Sequence, residues 1–337
     1  MKYFLLLSLL TTAGIAFSQQ VKLSHLPSEN KVEVTVDGKP FTSYYFPGPE
    51  LIKKPVLYPV YSPQGKLITR GWPLDPRPGE RVDHPHHIGV WFNYEDINGN
   101  DFWNNSVQAN RPGRKMGTIL NTKVIETSNG RKNGQLATTS HWVDYQGTHL
   151  LTDTTRITFT VQSKNVYTVD YEIVLHAIEE VQFRDVKDGM FAIRLSRELE
   201  LKYNDPQLLT GPDGKVNETK IVDNQRVSGS YRNKEGLKDD AVWGKPSEWC
   251  AMSGTIQNEN ITVAIIDHPN NFGYPAYFHA RGYGLFSLNS VARSAFDKSK
   301  PPHQFSIEKG QSKVFRYRLI FASQHLSDQE IQKLAKR

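Results

Sequence analysis

Val32-Glu33-Val34-Thr35-Val36-Asp37-Gly38, followed by Phe41-Thr42-Ser43-Tyr44-Tyr45-Phe46, decides the fold class. Apolar and polar residues alternate with the period of two that lays one face of a strand on a core. Asp37-Gly38 is the residue pair that a two-residue hairpin turn needs, because both positions take positive φ. The same style recurs outward from this hairpin. Leu57 to Tyr61 and Leu67 to Thr69 flank Pro63-Gln64-Gly65. Ile119 to Ile125, Gln135 to Tyr145, Arg156 to Val161 and Tyr167 to Ala177 follow, divided by Asn129-Gly130 and Asn133-Gly134. Phe191 to Leu195, Asn260 to Asp267, Gly284 to Asn289 and Lys313 to Phe321 complete the series. Helical periodicity enters only at the end, where Ser327 and Glu330 form a capping box before Ile331 and Leu334. Short, regularly spaced strands predict an all-β chain. Its size points to a large two-sheet β-sandwich, in its widest form a mutarotase-like supersandwich, closed by a short C-terminal helix.

The first eighteen residues read as a leader and not as fold. Lys2 gives a positive start, Tyr3 to Phe17 an apolar run, and Ala16-Phe17-Ser18 a cleavage signal. Residues 1–18 are therefore expected to be a signal peptide, and residues 19–337 one β-sandwich domain, exported to the periplasm or secreted. No cysteine follows the apolar run, so no lipid anchor is expected, and no later segment is apolar enough to insert in a membrane. Cys250 is the only cysteine and cannot form an intramolecular disulfide, which leaves stability to the core. With Trp249 before it, it reads as a small buried hydrophobe. The formal net charge is +6, with basic and acidic residues interspersed. Arg111 to Lys115, the densest basic cluster, holds Pro112 and Gly113 and reads as a loop. That pattern argues against a nucleic-acid partner. No glycine-rich phosphate loop and no nucleophile elbow is present.

Three of the eleven histidines fall together in Asp83-His84-Pro85-His86-His87-Ile88-Gly89-Val90-Trp91-Phe92, and Asn98-Gly99-Asn100-Asp101-Phe102-Trp103 follows. An extended reading puts His84 and His86 on one face with Asp101 and turns His87 to the other. Asn98-Gly99 predicts a hairpin joining the Trp91 and Trp103 runs. The Pro/Gly-rich Gly71 to Gly79 segment leading into this stretch is the irregular kind of loop that often serves function. His279 and Arg281, two apart beside Gly282 and Gly284, would share a strand face.

These islands resemble DUF6807, a family also labelled "methane oxygenase PmoA-like". The resemblance rests on the His84 to Phe92 run and on Asn98 to Trp103. It continues through Lys187-Asp188-Gly189-Met190-Phe191 with Ile193-Arg194-Leu195, Trp243-Gly244-Lys245 and Trp249. Asp267-His268-Pro269 with Asn271, Pro275, and His279 to Phe286 complete it. One departure stands out: Ile88 occupies the place after the paired histidines where the motif usually has arginine. The resemblance implies a β-sandwich protein of bacterial export systems, often associated with carbohydrate use. The methane activity does not carry over, because a methane monooxygenase subunit of that kind is a bundle of transmembrane helices.

Histidines titrate near neutrality, so a pair across a sugar can remove and return protons. The expected catalytic groups are His84, His86, His87, His279, Lys187 and Asp101. Lys187 and Arg281 are candidates to stabilise an oxyanion, and Asp101 or Asp267 to orient an imidazole. Trp91, Trp103, Arg194, Asp267, His268, Asn271 and Arg281 are the expected substrate contacts, with tryptophans as flat faces for a carbohydrate or as core. Epimerisation, β-elimination and hydrolysis by Asp101 and Asp267 all stay open. A non-catalytic glycan-binding protein would instead show a shallow aromatic face. A metal-dependent oxidative enzyme would hold a divalent metal, with His84 and His86 as candidate ligands.

Overall fold

The computed structural model describes residues 20–108 and 112–336. The leader read over residues 1–18 lies outside them, as does Arg111 of the basic loop. In chain order the strands are β1 (Val21–Leu26), β2 (Lys31–Val36), β3 (Lys39–Tyr45), β4 (Val56–Val60), β5 (Val90–Tyr94) and β6 (Thr118–Ser128). β7 (Asn133–Val143), β8 (His149–Ser163), β9 (Val166–Ala177), β10 (Val181–Phe183), β11 (Gly189–Arg194) and β12 (Ser230–Asn233) follow. β13 (Trp249–Ile256), β14 (Glu259–Asp267), β15 (Tyr277–Ala280), β16 (Leu285–Asn289), β17 (Phe305–Ile307) and β18 (Ser312–Ala322) lead to helix α1 (Asp328–Ala335).

Two antiparallel eight-stranded sheets make an all-β sandwich. The front sheet runs β1-β2-β3-β4-β5-β11-β16-β15, the back sheet β12-β13-β14-β18-β9-β8-β7-β6, and β10 pairs with β17 alongside. The opening hairpin forms as its sequence requires, with Asp37 and Gly38 at φ 51° and 74° between β2 and β3. Alternation then sends one set of side chains into a continuous inter-sheet core. Phe41 meets Phe159, Tyr167 and Phe321 edge-on, and Phe191 of the front sheet stacks on Tyr317 of the back sheet at 4.7 Å. Cys250 lies fully inside this core. Helix α1, capped by Ser327 and Glu330, covers the outer face of the back sheet through Ile331 against Trp249, Ala264 and Ile320.

The outer face of the front sheet is covered differently. Among the described residues no α-helix lies on it. Irregular chain between β4 and β6 packs there, and Ile52, Val56, Ile88, Trp91, Trp103, Ala192 and Leu285 form a separate buried cluster. The hairpin expected across Asn98-Gly99 shrinks to a tight turn, with those residues at φ 52° and 78° and only Ile97 and Asn100 bridged. The Asp101 carboxylate explains why. It accepts the Asn104 amide at 2.8 Å and turns the chain before a second strand can extend.

Removing the Phe191 ring should open a cavity between the sheets. Phe191→Ala is expected to cost about 3–5 kcal/mol, read as a lower denaturant midpoint at unchanged slope.

Candidate active site

Register across the front sheet sets one row of side chains on its outer face. Trp91 opposes Ala192, Ala192 opposes Ser287, and Ser287 opposes His279. Three strand spacings separate the ends of this row, about 14 Å at 4.8 Å per strand. The two middle positions carry short side chains. The Trp91 end supports the histidine turn, and the His279 end meets Trp243, whose ring lies 6.4 Å away.

The histidine stretch is a turn and not a strand, which corrects the alternating reading. Pro85 presets a turn and His84 takes φ 42°, so the His87 amide donates to the His84 carbonyl at 3.0 Å. All three rings therefore gather on one side. His84 stacks on His87 at 4.9 Å, His86 meets His87 at 4.3 Å, and His87 lies over Trp91 at 5.3 Å. Gly89 lets the turn sit tight on β4, since a Cβ there would stand 2.2 Å from the Leu57 carbonyl oxygen.

Buried arginines hold the turn in place. Arg70 donates to the backbone carbonyls of Arg81, Asp83, His84 and His87 at 2.8–3.2 Å, and to Asp83 Oδ1 at 2.6 Å. Arg194, at the end of β11, donates to the same Asp83 oxygen at 2.6 Å. Burial alone would raise the Asp83 carboxyl, but these guanidiniums and His84 hold it well below the usual carboxylate range. Burial and repulsion from Arg194 bring Arg70 down to about 10. Behind this layer Glu200 accepts from Arg81 and Arg197 at 2.7 Å each, and Glu80 collects the amides of Gly71, Trp72 and Arg77.

The two ends of the row differ in what they offer a ligand. Arg194 Nη1 stands 3.3 Å from His87 Nδ1 and can only donate, so Nδ1 is bare and the ring proton sits on Nε2. Burial, with the neighbouring imidazoles and arginines, pushes His87 well below the ordinary histidine range, so the ring is a neutral donor. At the far end His279 Nδ1 lies 3.3 Å from Asp188 Oδ1, an ion-pair distance without hydrogen-bond alignment; the carboxylate favours the tautomer that carries its proton on Nδ1, with Nε2 as the basic nitrogen. Burial lowers His279 to about 4, against the opposing pull of Asp188. Asp188 is itself held by Lys187 Nζ, 2.7 Å from both carboxylate oxygens.

Several buried polar atoms on this face have no hydrogen-bond partner among the described residues. They include His87 Nε2, Trp91 Nε1, Asn93 Oδ1, Trp243 Nε1 and His279 Nδ1. Native interiors rarely leave such groups unsatisfied, and their gathering on one face marks a place for a polar ligand.

The structure sorts the expected residues. His84, His86, His87, His279, Lys187 and Arg281 all lie around this face, with Arg281 over Trp243 at 5.7 Å and over Tyr283 at 5.9 Å. Trp91 and Trp103 are 1% exposed and pack on each other, so they support His87 and offer no open platform. Arg194 is fully buried and positions Asp83 and His87. Asp101 is taken up by Asn104 and Arg114. Asp267, His268 and Asn271 are not brought here. The Asp267 carboxylate folds its own loop at the end of β14, accepting from His268 N, Asn271 Nδ2 and Ala276 N at 2.7–2.9 Å. His84 and His86 meet edge-to-face, and no three His, Cys, Asp or Glu side chains among the described residues come together as a metal requires. The donor set does not fit a divalent ion.

Four groups were given no role by the sequence reading. Asp188 and Tyr283 stand inside the motifs quoted above, and Arg70 directly precedes the Gly71 to Gly79 loop. Lys54 carried no local signal: it is buried, donates to the His86 carbonyl at 2.7 Å and sits 5.2 Å over the Trp91 ring. Burial pulls its amine down to about 7, with Asp101 opposing.

The chain matches DUF6807, a family of unknown function, over residues 31–336, and belongs to that family. No curated protein matches it. Among solved structures, the crystal structure of a beta-arabinopyranosidase is similar at 11% identity and a TM-score of 0.33, over 91% of this chain and 39% of that one. This chain thus spans well under half of that protein, and the likeness is too distant to carry an activity across.

Two outcomes test the placement. Because His279 in the folded protein titrates near 4, below its unfolded value near 6.5, the unfolded chain binds the extra proton between these values. Stability should therefore rise with pH from 4 to 6.5 and level off above, and His279→Gln should flatten part of that slope in urea midpoints taken at pH 5 and pH 7.5. Asp267→Ala should cost about 2–4 kcal/mol of stability while ligand affinity measured on the folded protein stays unchanged.

Proposed function

We propose that this DUF6807 protein is an exported carbohydrate-active enzyme that works by histidine acid/base chemistry, with His279 Nε2 as the base. The observation that carries the reading is the set of orphaned polar atoms on the outer face, which also carries a neutral donor imidazole, His87, and a neutral imidazole beside a carboxylate, His279. Sugar hydroxyls both donate and accept, and so suit two indole N–H groups, an imidazole N–H and an amide oxygen together. Trp243 and Tyr283 are half-buried aromatics at the same place, the usual apolar complement to a sugar ring.

The chemistry favoured is removal of a proton from a sugar carbon, leading to elimination or epimerisation. His279 is unprotonated at neutral pH and is oriented by Asp188. His87 Nε2–H hydrogen-bonds and polarises a substrate oxygen while the ring stays neutral. Hydrolysis by Asp101 and Asp267 has little support, because each carboxylate is bonded into a different loop. A glycan-binding module would use exposed rings, and Trp91 and Trp103 are covered.

Proton NMR of glycosides and 3-keto-glycosides in D2O tests the proposal. Deuterium at one carbon, or new product peaks, is expected with the mature protein, reduced about 10²–10⁴-fold in His279→Gln. Unchanged spectra with ligand line-broadening would replace the enzyme by a binding module.

A further inference from the structure

Charge on this face is unbalanced. Arg70 and Arg194 are both buried and share the single carboxylate of Asp83. Behind them Arg81 and Arg197 likewise share Glu200. Buried charge without a counter-charge is costly, and the surplus here is positive. A further cation stands at the surface beside these clusters, on the Arg281–Gly284 turn joining β15 to β16, where Gly284 takes φ 85° and the Arg281 amide donates to the Leu285 carbonyl. Tyr283 at that turn carries Arg194 at 5.0 Å and Arg281 at 5.9 Å, with His84 stacked at 4.8 Å.

Arg281 is exposed, and among the described residues no carboxylate lies within ion-pair distance of it. The other carboxylates at this end are engaged: Asp83 by Arg70 and Arg194, and Asp188 by Lys187 and His279. On the opposite side Asp101 and Glu95 gather Arg114. The guanidinium of Arg281 thus stands near the Trp243 and Tyr283 rings while its donors remain to be used, the arrangement that suits a planar anion. His279 stands against the same Trp243 ring.

Resting on the carbohydrate reading above, we infer that the substrate is an acidic sugar of the uronate type, whose carboxylate docks on Arg281 with the C–H beside it facing His279. The assignment makes the acid/base step feasible. His279 Nε2 takes the proton from the carbon next to the carboxylate, and the electron pair spreads onto the carboxylate as an enediolate stabilised by Arg281. Collapse of that species breaks the C–O bond at the adjacent carbon and forms the C=C bond, while the departing oxygen takes the proton back from the His279 imidazolium and the ring returns to its neutral form. Return of a proton to the opposite face of the same carbon gives the epimer instead. Neither route needs an oxidant or a reductant.

Calorimetric titration of wild type and Arg281→Gln with glucuronate, galacturonate, glucose, galactose and glucose 6-phosphate decides the matter. Arg281 is exposed, so the variant should fold as wild type does, which circular dichroism verifies. Uronates are expected to bind about tenfold or more tightly than the matching neutral sugars. That advantage should shrink with added salt and vanish in Arg281→Gln. Equal affinity for neutral sugars, or an advantage that survives in Arg281→Gln, overturns the acidic-sugar assignment and leaves the carbohydrate reading standing. Tighter binding of the phosphate ester than of either uronate overturns the carboxylate in favour of another anion. If no sugar of either kind binds, the carbohydrate reading fails and the inference fails with it.

Discussion

The Asp83 carboxylate, shared by two buried guanidiniums, is the constraint on which the front face depends. Arg194 reaches it from the end of a core strand, and Arg70 from the segment after β4. Arg70 also donates to four backbone carbonyls in and just before the histidine turn, among them that of His84, which accepts the His87 amide as well. The turn is therefore fastened to the sheet by charge-assisted hydrogen bonds at both of its ends. Breaking either guanidinium contact would leave an uncompensated charge in the interior, the costly failure of such pairs. Since Arg194 also faces His87 Nδ1, the same anchor sets the tautomer of the ring that faces the ligand.

Burial then separates the two imidazoles by role without separating them by protonation. Both His87 and His279 are held neutral by desolvation. What differs is the partner of Nδ1, a guanidinium for one ring and a carboxylate for the other. A donor and an acceptor are thereby made from the same side chain, and they stay so over a wide pH range because neither needs to be charged. Lys54, lowered to about 7 by burial beside Trp91, changes its charge near neutrality.

Strands were legible where one face met the core. Val32 to Val36 and Val169 to Leu175 alternate and lie in sheets, and the Asp37-Gly38 turn and the Ser327 capping box took the geometry that their residues prefer. The site was legible only as composition. Pro85 and the positive φ of His84 turned an apparent strand into a loop, so the period-two rule assigned His87 to the wrong side. Asp267 and Asn271 look like site residues in sequence because polar residues clustered after a strand can serve either a ligand or a loop, and only the amides around them decide. Lys54 was invisible because its burial comes from chain distant in sequence, Trp91 and the His86 carbonyl.

Ile88 shows how a local departure is absorbed. It lies in the apolar cluster with Trp91, Trp103 and Leu285, at 4% exposure. A guanidinium at this position would have to enter a region whose nearby charges are already the paired Arg194 and Arg70, and repulsion between those two already lowers Arg70. With isoleucine there, the cluster closes over the sheet and backs His87 with hydrocarbon, which strengthens the desolvation that keeps its ring neutral. The cation that faces solvent on this side is Arg281 of the β15–β16 turn, near the Trp243 and Tyr283 rings, so positive charge stands beside the base and hydrocarbon beneath the donor.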